Sequence, residues 1–205
     1  QSLQKETDKR SGSGSEAMLL IAGQLLCVII LLGVFFTYLL LYRIEYVREV
    51  RSIGMLLSLI LLFSVAASLV QQPTELNVYM VPFAIVPIFI RVFMDSRTAF
   101  AATLIIVTIC SLSLHSPYEF MLLEIVAGLT AIYSLKELTS RSQLFRSVLL
   151  ITAVMALIKL GYDLSQGFIL STIDPSWYQR IAISGVLLLF AYPLMLLFEK
   201  LFGFI

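Results

Sequence analysis

One histidine, two cysteines, one tryptophan and a charged fraction of only 13% set the first limits on this chain of 205 residues. A lone His115 excludes a histidine-rich metal site built from this chain alone. Cys27 and Cys110 sit inside apolar runs without metal-ligand spacing and read as inert thiols. There is no phosphate-cradling glycine loop, no His-Glu-x-x-His and no Gly-x-Ser-x-Gly. By itself the chain reads as non-catalytic, with no metal and no cofactor of its own. Soluble domains are usually about 25% charged, so the shortage of charge argues against an ordinary soluble domain. A net charge of +1 says little about partners, and no nucleic acid is expected among them.

What the chain has instead is apolar sequence: 60% of residues are hydrophobic and the mean hydropathy is +0.97. Seven runs stand out, at 18–42, 52–70, 78–94, 98–114, 117–135, 144–166 and 180–199. A helix needs about 17–25 residues to cross a bilayer. The reading is an all-α, polytopic membrane helix bundle of seven transmembrane helices, with six possible if the fourth or fifth run is re-entrant. Basic residues mark alternate gaps: Arg43, Arg48 and Arg51 in the first, Arg97 in the third, Lys136, Arg141 and Arg146 in the fifth, and Lys200 after the last run. Cytoplasmic loops retain positive charge, so the N-terminus is expected outside and the C-terminus in the cytoplasm. Seven spans keep this alternation; six would put a basic loop outside.

Residues 1–17 are polar and contain Ser11-Gly12-Ser13-Gly14-Ser15, the composition of a flexible linker. No cleavable signal peptide is read, because 18–42 is too long and too evenly apolar. A polar tail outside is expected to follow an exported segment, and the apolar ending 198–205 to lead into another part of a larger protein. Within the runs, Pro82 and Pro87 predict a kink or break in the third helix, and Pro193 a bend in the last. Pro117 suits the first turn of the fifth helix. Gly54-x-x-x-Ser58 and Ser64-x-x-x-Ser68 give the second helix small residues for close packing, and leave a homodimer open.

Ionisable groups inside a bilayer are costly and mark functional candidates. Glu124 lies seven residues past Pro117 and Lys159 seven before Gln166, so both sit roughly 10 Å below the outer surface at about 1.5 Å per residue. Two readings follow. Either Glu124 and Lys159 pair across the fifth and sixth helices, with Asp163 sharing the lysine, or Lys159 snorkels to Asp163 while Glu124 faces a wet crevice. Arg91, Asp95 and Arg97 form an inner-face cluster that reads as a topology anchor or a contact for a cytoplasmic domain.

Three stretches carry a family resemblance. Val81-Pro82-Phe83-Ala84 through Phe93-Met94-Asp95-Ser96-Arg97-Thr98-Ala99 resembles the proline-to-Asp-x-Arg-x-Ala segment of the bacterial seven-transmembrane receptors with an intracellular HD hydrolase domain. Leu138-Thr139-Ser140-Arg141-Ser142 before Leu144-Phe145-Arg146 is similar to that family's basic inner loop, and Tyr192-Pro193-Leu194 to Phe198-Glu199-Lys200-Leu201-Phe202-Gly203-Phe204 to its Pro…Glu-Lys-x-Phe-Gly junction. The resemblance covers roughly residues 20–205. It implies an extracellular sensor domain before the bundle and, after it, a cytoplasmic HD phosphodiesterase acting on cyclic di-AMP, with divalent metals expected only in that absent domain. It implies a place in the bacterial inner membrane, and a junction made of Glu199, Lys200, Phe202 and Gly203. The metal-binding His-Asp residues themselves are absent, so no catalytic residue carries over. The function expected is signal transmission from the sensor to the hydrolase. The alternative is a small transporter or channel with its polar site at Glu124 and Lys159. An intramembrane lipid-modifying enzyme would need more clustered ionisable groups than the runs contain.

Overall fold

Apolar runs with few glycines and few internal charges have one economical conformation away from water, the helix, which satisfies its own backbone. The computed structural model describes residues 2–70, 77–135, 141–168 and 174–203, with side chains from residue 18 onward apart from 141 and 142, and its described residues contain helices and no strand. Helix α1 spans Ser2–Tyr42, α2 Ile44–Arg48 and α3 Val50–Val70. A 3₁₀ turn at Val78–Met80 precedes α4, Ile85–Phe93. Then come α5, Ser96–Ser111, α6, Pro117–Ser134, and α7, Arg141–Ser165. The chain closes with α8, Ser176–Leu188, and α9, Ala191–Phe202.

Among the described residues, three helical segments are long and apolar enough to cross a membrane: Met18–Tyr42, Val50–Val70 and Gln143–Ser165. Helices α8 and α9 make a fourth if the bent pair counts as one span. The third run is not one helix of membrane length. It is broken between the 3₁₀ turn and α4, and Pro82 lies in the break. Pro87 falls in the first turn of α4, where its missing N–H has no intrahelical role. Helix α6 carries Glu119 and Glu124, which lower its hydropathy. The backbone of 2–17, read as a flexible linker, is helical within α1. Extending an existing helix is far cheaper than nucleating one.

The core lies between α3, α4, α5 and α6, where Met55, Leu59, Phe89, Ile106, Phe120 and Leu123 are fully enclosed. Helix α1 lies at the edge, leaning on α5 and leaving Leu25, Leu26, Ile29 and Ile30 exposed. Two glycines permit the closest approaches. A Cβ on Gly128 of α6 would fall 2.7 Å from Thr103 Cγ2 of α5, and one on Gly185 of α8 would fall 2.3 Å from Thr152 Oγ1 of α7. The small residue expected to serve helix association, Gly54, is occupied within the chain: its Cβ position is 3.2 Å from the ring of Phe202 in α9.

The bend expected at Pro193 is present, one turn before the proline. Helices α8 and α9 meet at 42°. Pro193 cannot donate to the carbonyl of Leu189, and its ring crowds that carbonyl. The chain answers with tighter bonds, Leu189 N–H to Val186 O at 3.1 Å and Phe190 N–H to Leu187 O at 3.0 Å. Pro193→Ala restores the donor and should straighten the pair. Spin labels at Gln179 and Lys200 would then report a longer separation; an unchanged distance would mean that the packing of α9 alone holds the angle.

Candidate functional site

Two polar layers sit at opposite ends of the bundle. The first gathers at the end where α6 begins and α7 finishes. Glu119, Lys159 and Asp163 are each less than 10% exposed. Lys159 Nζ lies 2.6 Å from Asp163 Oδ1, one turn along α7, and 2.8 Å from Glu119 Oε1 of α6. It also stands 4.3 Å over the ring of Trp177, the second residue of α8. A single ammonium thus joins α6, α7 and α8. A cavity of 490 Å³ adjoins it, bounded by Gln166, Asp174 and Trp177.

Of the two readings for Lys159, the contact with Asp163 forms, and the cross-helix partner is Glu119 in place of Glu124. The two glutamates are five residues apart, which turns them about 140° around the helix axis. Only one can face Lys159, and the lysine extends toward the end of α7 where Asp163 waits. Glu124 is 2% exposed, its Oε1 has no hydrogen-bond partner among the described residues, and it lies within electrostatic reach of Cys110 and Tyr79. It therefore faces the bundle interior, not a wet crevice. Sequence reasoning passed over Glu119 and Trp177 as members of this layer. Glu119 is three residues into α6 and resembles an ordinary acidic first-turn residue. Trp177 resembles an ordinary interfacial anchor.

An aromatic ladder continues inward from this layer. Tyr79 meets Trp177 edge-on at 4.5 Å and Phe120 at 6.1 Å; Phe120 meets Phe83 at 5.1 Å, and Phe83 meets Phe63 of α3 at 5.3 Å. The break in the third run is what lets Tyr79 and Phe83 enter it, since both lie outside α4.

The second polar layer sits where α1 ends and α5 begins. Asp95 is extended and caps α5, accepting from the N–H groups of Arg97 and Thr98. Its ion-pair partner is Arg43, at 2.7 Å, from outside the Arg91, Asp95 and Arg97 cluster. Helix α4 ends at Phe93, so Arg91 and Asp95 do not share a helix face, and Arg91 is engaged elsewhere. Burial pushes the Asp95 carboxyl up, but hydrogen bonds from Thr98 and Arg43 outweigh it and hold it below the usual range. A depressed carboxyl stabilises the fold above its unfolded pKa of about 4 and loses that contribution as pH falls through the folded value. Asn at this position would still cap. The stability advantage of the wild type over Asp95→Asn should therefore be constant from pH 7 to 5 and shrink below about pH 4, as followed by thermal unfolding in detergent.

The residues expected as a junction are held at this same end. Phe198 packs against Phe89 of α4 at 5.0 Å and against Phe202 at 5.6 Å, and Phe202 covers Gly54 of α3. Gly203 adopts φ 66° and ψ 45°, the left-handed C-terminal cap that glycine takes without strain. Its carbonyl accepts from the Arg51 guanidinium. Lys200 is exposed and Glu199 half-buried. Lys136 and the 138–140 part of the basic loop lie outside the described residues, as do residues 204–205.

Apolar helices with a buried polar layer at one end and basic anchors at the other define an integral membrane domain. No metal-binding cluster of His, Cys, Asp or Glu occurs among the described residues. The chain belongs to the family of 7TM receptors with an intracellular HD hydrolase, whose model matches residues 18–205. No curated protein and no solved structure matches it.

Proposed function

We propose that this chain is the signal-transmission domain of a cyclic-di-AMP phosphodiesterase receptor in the bacterial cytoplasmic membrane. In this reading it crosses the membrane seven times, N-terminus outside, and couples an extracellular sensor to a cytoplasmic HD hydrolase. The alternation of basic gaps supports the orientation, and the contacts of the shorter elements support their crossing as spans packed inside the bundle. The observation that carries the proposal is the α8–α9 rod. It begins at Trp177 beneath Lys159 and ends at Phe202 and Gly203, clasped by Gly54 and Arg51. Any movement of the ammonium layer displaces the start of a rod whose other end is the junction. Transmission of this kind needs two states with different contacts; the Lys159 layer and the bend before Pro193 are the elements that would differ.

The test joins the bundle to the HD domain and follows hydrolysis of cyclic di-AMP in nanodiscs. Lys159→Glu reverses the charge at the node and should alter the hydrolysis rate or its regulation. Unchanged hydrolysis and regulation, in protein shown to fold, would end the proposal. The unpaired Glu124 Oε1 beside a broken run favours one rival, a small transporter. Uptake into proteoliposomes that Glu124→Gln abolishes would establish that rival.

A further inference from the structure

At the basic end, on the outward side of the bundle, a cavity of 680 Å³ opens between α1, α5 and α6. Its floor is apolar, with Phe100 and Leu104 of α5 facing Ile132 of α6. Tyr42 and Tyr133 stand at its sides, 69% and 77% exposed. Its rim is cationic and hydrogen-bonding: Arg43, Ser96 and Arg97. Arg43 is matched by Asp95. The Arg97 guanidinium is exposed and makes no hydrogen bond or ion pair among the described residues. Among the described lining residues the rim therefore carries one uncompensated positive charge.

We propose that this cavity binds one anionic phospholipid of the phosphatidylglycerol class. Its phosphodiester would sit on Arg97 and Ser96, with an acyl chain along Phe100 and Leu104. Charge complementarity selects the occupant. A single phosphodiester matches the single free guanidinium, whereas a zwitterionic headgroup brings its own ammonium and cancels the attraction. Flanking tyrosines suit the headgroup level of a bilayer, and basic pockets between membrane helices are the known setting for anionic headgroups. A water-soluble anion would leave the apolar floor unused. The bound lipid would bridge α1 to α5 and α6, beside the Arg43–Asp95 tie, which with Gln24 Nε2 to Leu112 O holds α1 against α5. Binding does not depend on which side of the membrane the basic end faces, so it stands apart from the transmission reading.

The experiment places the purified chain in phosphatidylcholine nanodiscs with graded phosphatidylglycerol and counts retained lipid by native mass spectrometry. One phosphatidylglycerol should be retained in preference to phosphatidylcholine. Arg97→Gln, at an exposed position, should weaken retention about tenfold, roughly the 1.4 kcal/mol of one charge-assisted contact. Leu104→Trp, which fills the floor, should weaken it with the rim intact. Lys200→Gln, an exposed basic residue away from the cavity, should leave it unchanged. Equal retention of the two lipids, or insensitivity to both cavity variants, would overturn the proposal. So would a loss in Lys200→Gln equal to that in Arg97→Gln, which would mark diffuse charge. Displacement by inorganic phosphate alone would reduce the site to an anion contact and overturn the lipid assignment.

Discussion

Lys159→Met is expected to destabilise the bundle by roughly 3–5 kcal/mol, the cost of stranding buried charge after removing its partner. Two carboxylates, Glu119 and Asp163, converge on that one ammonium and are each less than 10% exposed. Without it they repel one another in a poorly solvated place. The Lys159–Trp177 cation–π contact at 4.3 Å goes as well, worth about 0.5–2 kcal/mol. A double-mutant cycle assigns the partner. Glu119→Gln combined with Lys159→Met should recover part of the loss, since one stranded charge is gone. Glu124→Gln combined with Lys159→Met should be additive within about 0.5 kcal/mol. Additivity with Glu119→Gln and coupling with Glu124→Gln would reverse the assignment. Reversible thermal or steric-trap unfolding in bicelles gives the required free energies.

Gly185→Ala should cost about 1–3 kcal/mol, an unusual penalty for one methyl group on a helix. Along α8, Ile181, Ser184, Gly185 and Leu188 form the buried stripe, and the Gly185 Cβ position lies 2.3 Å from Thr152 Oγ1. Thr152 cannot swing away freely. It is β-branched, and its hydroxyl donates to Val148 O at 2.9 Å. The helices must then separate, which would also shift Trp177 relative to Lys159. Thr152→Ala removes the clashing atoms and leaves only its Cβ, 3.3 Å away. The double variant should therefore recover most of the stability. Failure of that rescue would place the cost in α8 itself and not in its seam with α7.

How much of this was legible in the sequence varies with the range of the interaction. Helices, apolar faces and the break near Pro82 follow from local rules, because periodicity, proline chemistry and backbone satisfaction act within a few residues. The bend at Leu189–Phe190 was legible to within one turn, since a proline acts on the carbonyl four residues back. Partners were not. Depth along two antiparallel helices made Glu124 one of two readings for Lys159, the other being Asp163; rotation about α6 brings Glu119 to the lysine in place of Glu124, and no spacing rule fixes that rotation. Arg91 and Asp95 had the spacing of a helical pair; the end of α4 between them sent Asp95 to Arg43, 52 residues away. Gly54 read as a close-packing position, but its partner, Phe202 of α9, could not be named from the spacing.

By itself the sequence determined that this is a helical membrane protein of the 7TM receptor family with an intracellular HD hydrolase. It also determined which end of the bundle is basic, because hydrophobicity and charge are properties of each residue and need no partner. Only the tertiary structure decided that one lysine ties three helices, that an aromatic ladder enters through the broken run, and that the α8–α9 rod connects that lysine to Gly203. Those depend on helix rotation and on approach distances set by Gly128 and Gly185, which emerge only when the helices pack together.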